Sequence, residues 1–370
     1  MPKSNDLPKY LCVNGDESEP GSFKDRQILE HNPFQLIEGI LIASKAMGIT
    51  ASYIYIRGEY HKWINCIQKA IDEAYSAGFI GSGMRDKFGI DFSTEIYVHK
   101  GAGAYVCGEE TSLMNSIEGK RAYPRNKPPF PAGSGLWGMP TTINNVETIT
   151  NVPAILRIGA EEFTKIGAPT QCGTMLFGVS GNINKPGVYE LPTGTPLKEI
   201  IYDICSGIPN GKKLKAVFPG GISMVPLTAD EVEIAKMDLD SMRKIGSGVG
   251  TGGIIVVAEV ALRINHFFHH ESCGQCTPCR EGNGWIEKIL KRIVNGDSTS
   301  KDIDLIYDIA CNIEGNTVCG LGDASAWPIK GLIEKFRDEF EKLTLAKREF
   351  VPLNVVHGRR ESAKELYVSQ

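Results

Sequence analysis

No window of this 370-residue chain supplies the ~20 consecutive apolar residues needed to span a bilayer, and its opening, Met1 to Asp6, carries no apolar signal region. The chain is therefore expected to be soluble and intracellular. Positive charge is scarce as well: 40 Lys and Arg against 44 Asp and Glu leave a formal net charge of −4, with no electrostatic footprint for nucleic acid. No internal repeat is visible. The dinucleotide fingerprint G-x-G-x-x-G is missing too, because it would require glycine at 106, where Val106 stands. The ten cysteines are spread over the whole length, which fits a reducing compartment better than a secreted disulfide scaffold.

What is present is concentrated in His269 to Gly282. There Cys273, Cys276 and Cys279 stand three residues apart. Thiolates at C-x-x-C-x-x-C spacing can converge on one face of an iron–sulfur cube, because a tight loop brings every third side chain to the same side. A structural zinc site usually joins two separated pairs, and it remains the alternative. The fourth ligand lies between Cys311 and Cys319. Cys311 belongs to a helix-period run with Ile303, Ile306, Ile309, Ala310 and Ile313, whereas Cys319 sits in Thr-Val-Cys-Gly-Leu-Gly, whose glycines permit close backbone approach. Cys319 is the choice. His269 and His270 are expected to end the preceding apolar helix rather than to act as ligands.

The chain before this loop alternates strand and helix. Apolar runs at 10–13, 53–56 and 96–98 read as strands, and helix-period segments stop at Gly48 and Gly78, which implies a parallel sheet covered by helices. After the third strand comes Lys100 to Glu110, a glycine turn leading into a helix closed by Gly119. A strand, a glycine turn and a helix N-terminus together make an anion site, although a turn needed only for packing is an equal reading. Asp16, Glu17, Glu19, Glu109 and Glu110 all fall just beyond strand ends, where open α/β sheets bind ligands. Tyr123 to Pro131 is too proline-rich for a helix and reads as an extended loop carrying Arg125, Lys127 and Phe130 outward, either for a nucleotide or as a linker. Thr141 to Thr148 looks like a helix start with an Asn as N-cap.

From about Gly167 the pattern changes to a small α+β module, with a strand pair at 174–179 and 188–191, a helix at 197–204 and a strand at 214–218. The glycine run Gly246 to Gly253 precedes its strand, 254–258, so it reads as a turn or bulge and not as a phosphate loop. Helices at 261–268, 285–294, 303–313 and 329–343 then form a bundle around the cysteine loop. The polar tail from Lys347 is expected to be poorly ordered.

Three motifs together, Glu271 to Gly282, Gly103 to Thr111, and Asn14 to Arg26, make the chain resemble, over about residues 8 to 345, the family of flavin-bearing subunits of respiratory complex I. The resemblance implies that NADH gives a hydride to FMN, which passes single electrons to a 4Fe-4S cluster and onward to quinone, coupled in the whole complex to proton translocation. It makes Asn14, Asp16, Glu17, Tyr105, Gly108, Glu109, Asn144, Asn145 and Thr148 the FMN contacts. Glu19, Glu110, Lys127 and Phe130 would face NADH, with Glu110 and Glu19 nearest the chemistry, and Cys273, Cys276, Cys279 and Cys319 would hold the cluster. The implied partners are the other soluble-arm subunits, especially the small 2Fe-2S subunit and the large iron–sulfur subunit. The implied location is peripheral, on the cytoplasmic side of the bacterial inner membrane, with membrane association only through the complex.

The expected architecture is α/β: a parallel-sheet FMN/NADH domain at 1–166, a small α+β domain, ubiquitin-like by the resemblance, at 167–253, a C-terminal 4Fe-4S helical bundle at 254–345 and a tail at 346–370. Family members carry a glycine-rich, arginine-containing segment before the first strand. This sequence starts at Met1-Pro2-Lys3, so it resembles a subunit lacking that part, and weak FMN binding is the expectation. The competing readings are the flavin subunit of an NAD-linked hydrogenase or formate dehydrogenase, and a chain that keeps the cluster alone.

Overall fold

In a computed structural model, residues 7–257 and 261–345 are described. The expected tail at 346–370, the first six residues and the end of the strand expected at 254–258 lie outside them.

The first part of the chain runs β1 (Tyr10–Gly15), α1 (Asp25–His31), α2 (Pro33–Met47), β2 (Ala51–Ile56), α3 (His61–Ala77), α4 (Gly83–Phe88), β3 (Glu95–Lys100), α5 (Glu110–Ile117), β4 (Thr141–Asn145), α6 (Val146–Ile158) and α7 (Ala160–Phe163). The four strands are parallel in the order β3-β2-β1-β4. Period-two alternation sends Leu11, Val13, Ile54 and Ile56 into a core against α1, α2, α3 and α6, while Cys12 and Tyr55 face a smaller core with Leu113, Met114 and Leu136. Both faces are covered, as a parallel sheet requires. The expected α/β class is met. Gly48 and Gly78 end α2 and α3 in the left-handed conformation, at φ 70° and 85°.

One element departs from expectation. Thr141 to Asn145 forms an edge strand paired with β1, and only then does Asn145 cap α6 by accepting the Glu147 N–H at 2.9 Å. The cap was legible and the strand was not, because its partner is more than a hundred residues away in sequence.

The second part comprises β5 (Gly167–Ala168), β6 (Gln171–Cys172), β7 (Thr174–Gly181), β8 (Gly187–Pro192), α8 (Leu197–Glu199) continued by a π turn at Ile200–Ile204, β9 (Ala216–Phe218), β10 (Leu227–Thr228), α9 (Ala229–Ile234), α10 (Leu239–Lys244) and β11 (Gly253–Val257). Its five-stranded sheet has the order β10-β9-β11-β7-β8. β11 is the middle strand, parallel to β7 and antiparallel to β9. The boundary expected between 253 and 254 therefore cuts through a strand of this sheet; the apolar run Ile254 to Val257 is the sheet's centre and not the start of the bundle.

The last part is the bundle α11 (Ala261–Glu271), α12 (Thr277–Asn295), α13 (Ser300–Ile313) and α14 (Leu321–Leu345). Its core is the helix-periodic set Ile286, Ile289, Leu290 and Ile293 on α12 against Ile303, Ile306, Ala310 and Ile313 on α13, closed by Ile329, Leu332 and Ile333 on α14. Among the described residues no helix is long and apolar enough to cross a membrane.

Candidate functional site: a flavin cleft beside a four-cysteine centre

The loops that follow the carboxyl end of β1 are fastened by their own carboxylates and amides. Asn14 Oδ1 accepts the Asp16 N–H at 3.0 Å while its Nδ2 donates to the Gly108 carbonyl at 2.9 Å, tying the β1 loop to the glycine turn. Glu17 is buried and accepts the backbone N–H groups of Lys24 (2.7 Å), Asp25 (3.0 Å) and Arg26 (3.3 Å) together with the Tyr60 hydroxyl (3.2 Å). It caps α1 from outside, because Lys24, the residue before that helix, offers no side-chain cap. Burial pushes its carboxyl up, and so does Asp25; the N–H donors pull the other way. Glu19 is likewise spent: it accepts the Tyr105 hydroxyl at 2.6 Å and the Ser223 N–H at 2.8 Å, joining all three parts of the chain through α11, whose Phe267 packs edge-on against Tyr105. Burial raises this carboxyl as well.

The helix N-terminus after the glycine turn does not stand open for an anion. Glu109 is its N-cap, and one carboxylate oxygen accepts the N–H groups of Thr111 and Ser112, each at 2.9 Å.

Asp16 is different. Both of its carboxylate oxygens, and the hydroxyl of Ser18, are buried and find no hydrogen-bond partner among the described residues. Burial pushes the Asp16 carboxyl up to about 7; the Ser18 hydroxyl, near it but outside hydrogen-bond geometry, and the charge of Arg57 pull it back, and the charges of Glu59 and Glu271 add to the rise. These groups line a cleft of about 550 Å³, within the range of cofactor sites, whose walls include Tyr105, Val106 and Gly108 on one side and Asn145, Thr148 and Met175 on another. An ionised carboxylate only accepts, so a group that fits here must present hydroxyl or N–H donors to Asp16. The polyhydroxylated side chain of a flavin does so. The positive charge in the cleft, Lys24, is held by Asp25 and Glu147, both at 2.7 Å.

The structure thus brings Asn14, Asp16, Glu17, Glu19, Tyr105, Gly108, Glu109, Asn145 and Thr148 to one cleft. It does not bring Asn144, whose amide donates to Thr142 at 3.1 Å, or Phe130, which is 62% exposed. Glu110 pairs with Lys127, and Lys127 borders an adjoining recess with Arg125 and Cys319. Sequence reasoning missed Ser18, Met175, Gly250 and Thr251. The run Gly246 to Gly253 is a turn, as expected, but it is also a wall of the cleft. The available signal was the glycine itself: a Cβ at Gly250 would lie 2.1 Å from the Gly220 carbonyl oxygen, so the close backbone approach of these two turns requires glycine at that position.

The cysteines come from two loops. Cys273 and Cys276 lie between α11 and α12, Cys279 in the first turn of α12, and Cys319 between α13 and α14. Burial pushes Cys319 up to about 11, and the charges of Cys273 and Cys279 contribute; burial also raises Cys279, as do Cys276 and Cys273. Among the described residues no group of three His, Cys, Asp or Glu side chains is placed to hold a single metal ion. His269 and His270 turn to Glu287 and Glu271, and Cys311 is exposed. Cys319, Gly320 and Leu321 also line the cleft of Asp16.

Comparison with known proteins agrees with both halves. Residues 1–154 match the Nuo51 FMN-binding domain, residues 259–343 the NADH-ubiquinone oxidoreductase-F iron-sulfur binding region, and residues 176–226 an SLBB domain. An FMN domain and a 4Fe-4S region in one chain define an iron–sulfur flavoprotein, an oxidoreductase component. The F subunit of NADH-quinone oxidoreductase from Rickettsia typhi is 52% identical over 349 residues, covering 92% of this chain and 82% of that protein. The F subunit from Rickettsia bellii is 52% identical over 348 residues, with 92% and 83% covered. The chain belongs to the family of NADH-quinone oxidoreductase F subunits. Among solved structures, the NAD+-reducing NiFe-hydrogenase in its air-oxidised state superimposes with a TM-score of 0.83 at 32% identity, over 95% of this chain; the chain spans 59% of that hydrogenase chain.

Proposed function

We propose that this chain oxidises NADH at FMN bound in the Asp16 cleft and delivers the electrons through a 4Fe-4S group on Cys273, Cys276, Cys279 and Cys319, as part of respiratory complex I. When bound, FMN supplies the conversion of a two-electron hydride into single electrons that an iron–sulfur group can carry towards quinone. Asp16 and Ser18 accept or donate to the flavin's hydroxyls, Asn14 and Glu109 hold the glycine turn around it, and Glu17 and Glu19 keep the walls in place. Glu110 and Lys127, paired at the neighbouring recess, and Phe130 on the exposed loop receive NADH. The single observation that carries this reading is that Cys319, the fourth ligand this reading assigns, lines the same cleft as Asp16.

The small 2Fe-2S subunit and the large iron–sulfur subunit are the neighbours this reading assigns, with the chain on the cytoplasmic side of the membrane. The three-part division into an FMN/NADH domain, a ubiquitin-like domain and a 4Fe-4S bundle goes with it. A hydrogenase flavin subunit is the related alternative; identity of 52% over most of the F subunit, against 32% over 59% of the hydrogenase chain, favours complex I.

The test is steady-state NADH oxidation with ferricyanide as acceptor in Glu110→Ala. The expected result is weakened NADH turnover with unchanged iron content. Unchanged kinetics would remove Glu110 from the NADH site.

A further inference from the structure

Two buried asparagines meet between α11 and α12, beside the Ile264, Phe268 and Ile286 side chains of the bundle core. Asn265 and Asn283 are both 0% exposed. Amides in such a place cost stability unless they are bonded. Asn283 is fully used: its Oδ1 accepts from Asn265 Nδ2 at 3.3 Å, and its Nδ2 donates to the Cys279 carbonyl at 3.0 Å and to the Cys279 sulfur at 3.6 Å. The bond from Asn265 decides which end of the Asn283 amide faces the sulfur. Asn265 gains little in return, since its own Oδ1 finds no donor among the described residues. A purely structural role is better served by leucine at both positions.

A second donor reaches the same sulfur. Ser272 Oγ lies 3.2 Å from Cys279 Sγ and accepts the Gly274 N–H at 3.4 Å, which leaves its hydroxyl proton free to point at the sulfur. Cys279 therefore receives two side-chain donors, and each comes from a residue that no ligand role requires. Hydrogen bonds to a cluster-ligating sulfur stabilise the state with more negative charge on the sulfurs, which is the reduced one.

We propose that Asn283, oriented by Asn265, and Ser272 are positioning residues that raise the reduction potential of the iron–sulfur group held by Cys279. The inference rests on the assignment of Cys279 as a ligand. The removal of either donor lowers the midpoint potential, and the removal of both lowers it further, though not by the simple sum, since the two donors share one sulfur.

The experiment is an EPR-monitored redox titration of the purified protein, with iron and sulfide determined on the same samples, for wild type, Asn283→Leu, Ser272→Ala, the double variant and Asn265→Leu. Expected are wild-type iron content, a more negative midpoint in Asn283→Leu and Ser272→Ala, a larger shift in the double, and a smaller shift of the same sign in Asn265→Leu. If Asn283→Leu fails to assemble, Asn283→Ser, too short to reach the sulfur, carries the same measurement. A variant with full iron and an unmoved potential overturns the proposal, even if its melting temperature falls. Cys279→Ser is measured alongside: if it keeps its full iron, the ligand assignment fails instead, and the two failures are distinguishable.

Discussion

Asp16 carries the clearest signal of any single residue, because a buried carboxylate without a donor is a cost that a bound group must relieve. Its carboxyl is held at about 7 instead of the ordinary 3.8. Between those values the folded protein retains a proton that the unfolded chain has lost, so stability falls as the pH rises through this window. Flavin hydroxyls that donate to the ionised carboxylate reverse the shift. Binding of FMN at pH 6 should therefore release up to about one proton, affinity should rise with pH and level off above 7, and Asp16→Asn should abolish the release. The same variant loses a charge-assisted bond of ~1.5–3 kcal/mol, or about 10- to 10²-fold in affinity. Calorimetry in two buffers of different ionisation enthalpy checks this; equal heats in both would contradict it. The sequence placed Asp16 at a strand end but could not distinguish it from Glu17 and Glu19, which turn out to spend their oxygens on the protein. That difference depends on where α1, Tyr60, Tyr105 and Ser223 lie in space.

At the level of elements, patterns confined to one segment were legible. The glycine stops of α2 and α3, the cap on α6 and the periodic faces of α12 and α13 all follow from local chemistry. What was not legible depended on distant partners: β4 is a strand because β1 lies beside it, and β11 is the centre of the second sheet because β7 and β9 flank it. The crossing of α2 and α6 is another such case. A Cβ at Gly39 would lie 2.2 Å from the Ile149 carbonyl oxygen, whereas one at Gly133 meets nothing nearer than 3.7 Å. Gly39→Ala should thus cost about 1–3 kcal/mol through overpacking, despite alanine's better helix propensity. Gly133→Ala should be nearly silent. Urea denaturation midpoints read both, and a Gly39→Ala protein as stable as wild type would show that the two helices can separate freely.

Across the whole molecule, the organising fact is that the loop after β1, the glycine turn before α5, the turn at Gly250 and the loop before α14 close on one cleft, with Glu19 bonded to Tyr105 in the glycine turn and to Ser223 between β9 and β10. The sequence announced the FMN and cysteine motifs separately; only the fold puts Cys319 in the wall between them. The proposed electron path stands or falls with that adjacency, and anaerobic titration with NADH, followed by flavin absorbance and low-temperature EPR on the same samples, probes it without an intermediary. In the wild type supplied with excess FMN, NADH should bleach the flavin and bring up the signal of a reduced 4Fe-4S cluster, with about four irons per chain. Cys319→Ser should still be bleached but lose the cluster signal, while Cys311→Ser behaves as wild type. A cluster that dithionite reduces but NADH does not, in protein that holds its flavin, would break the path between the two centres.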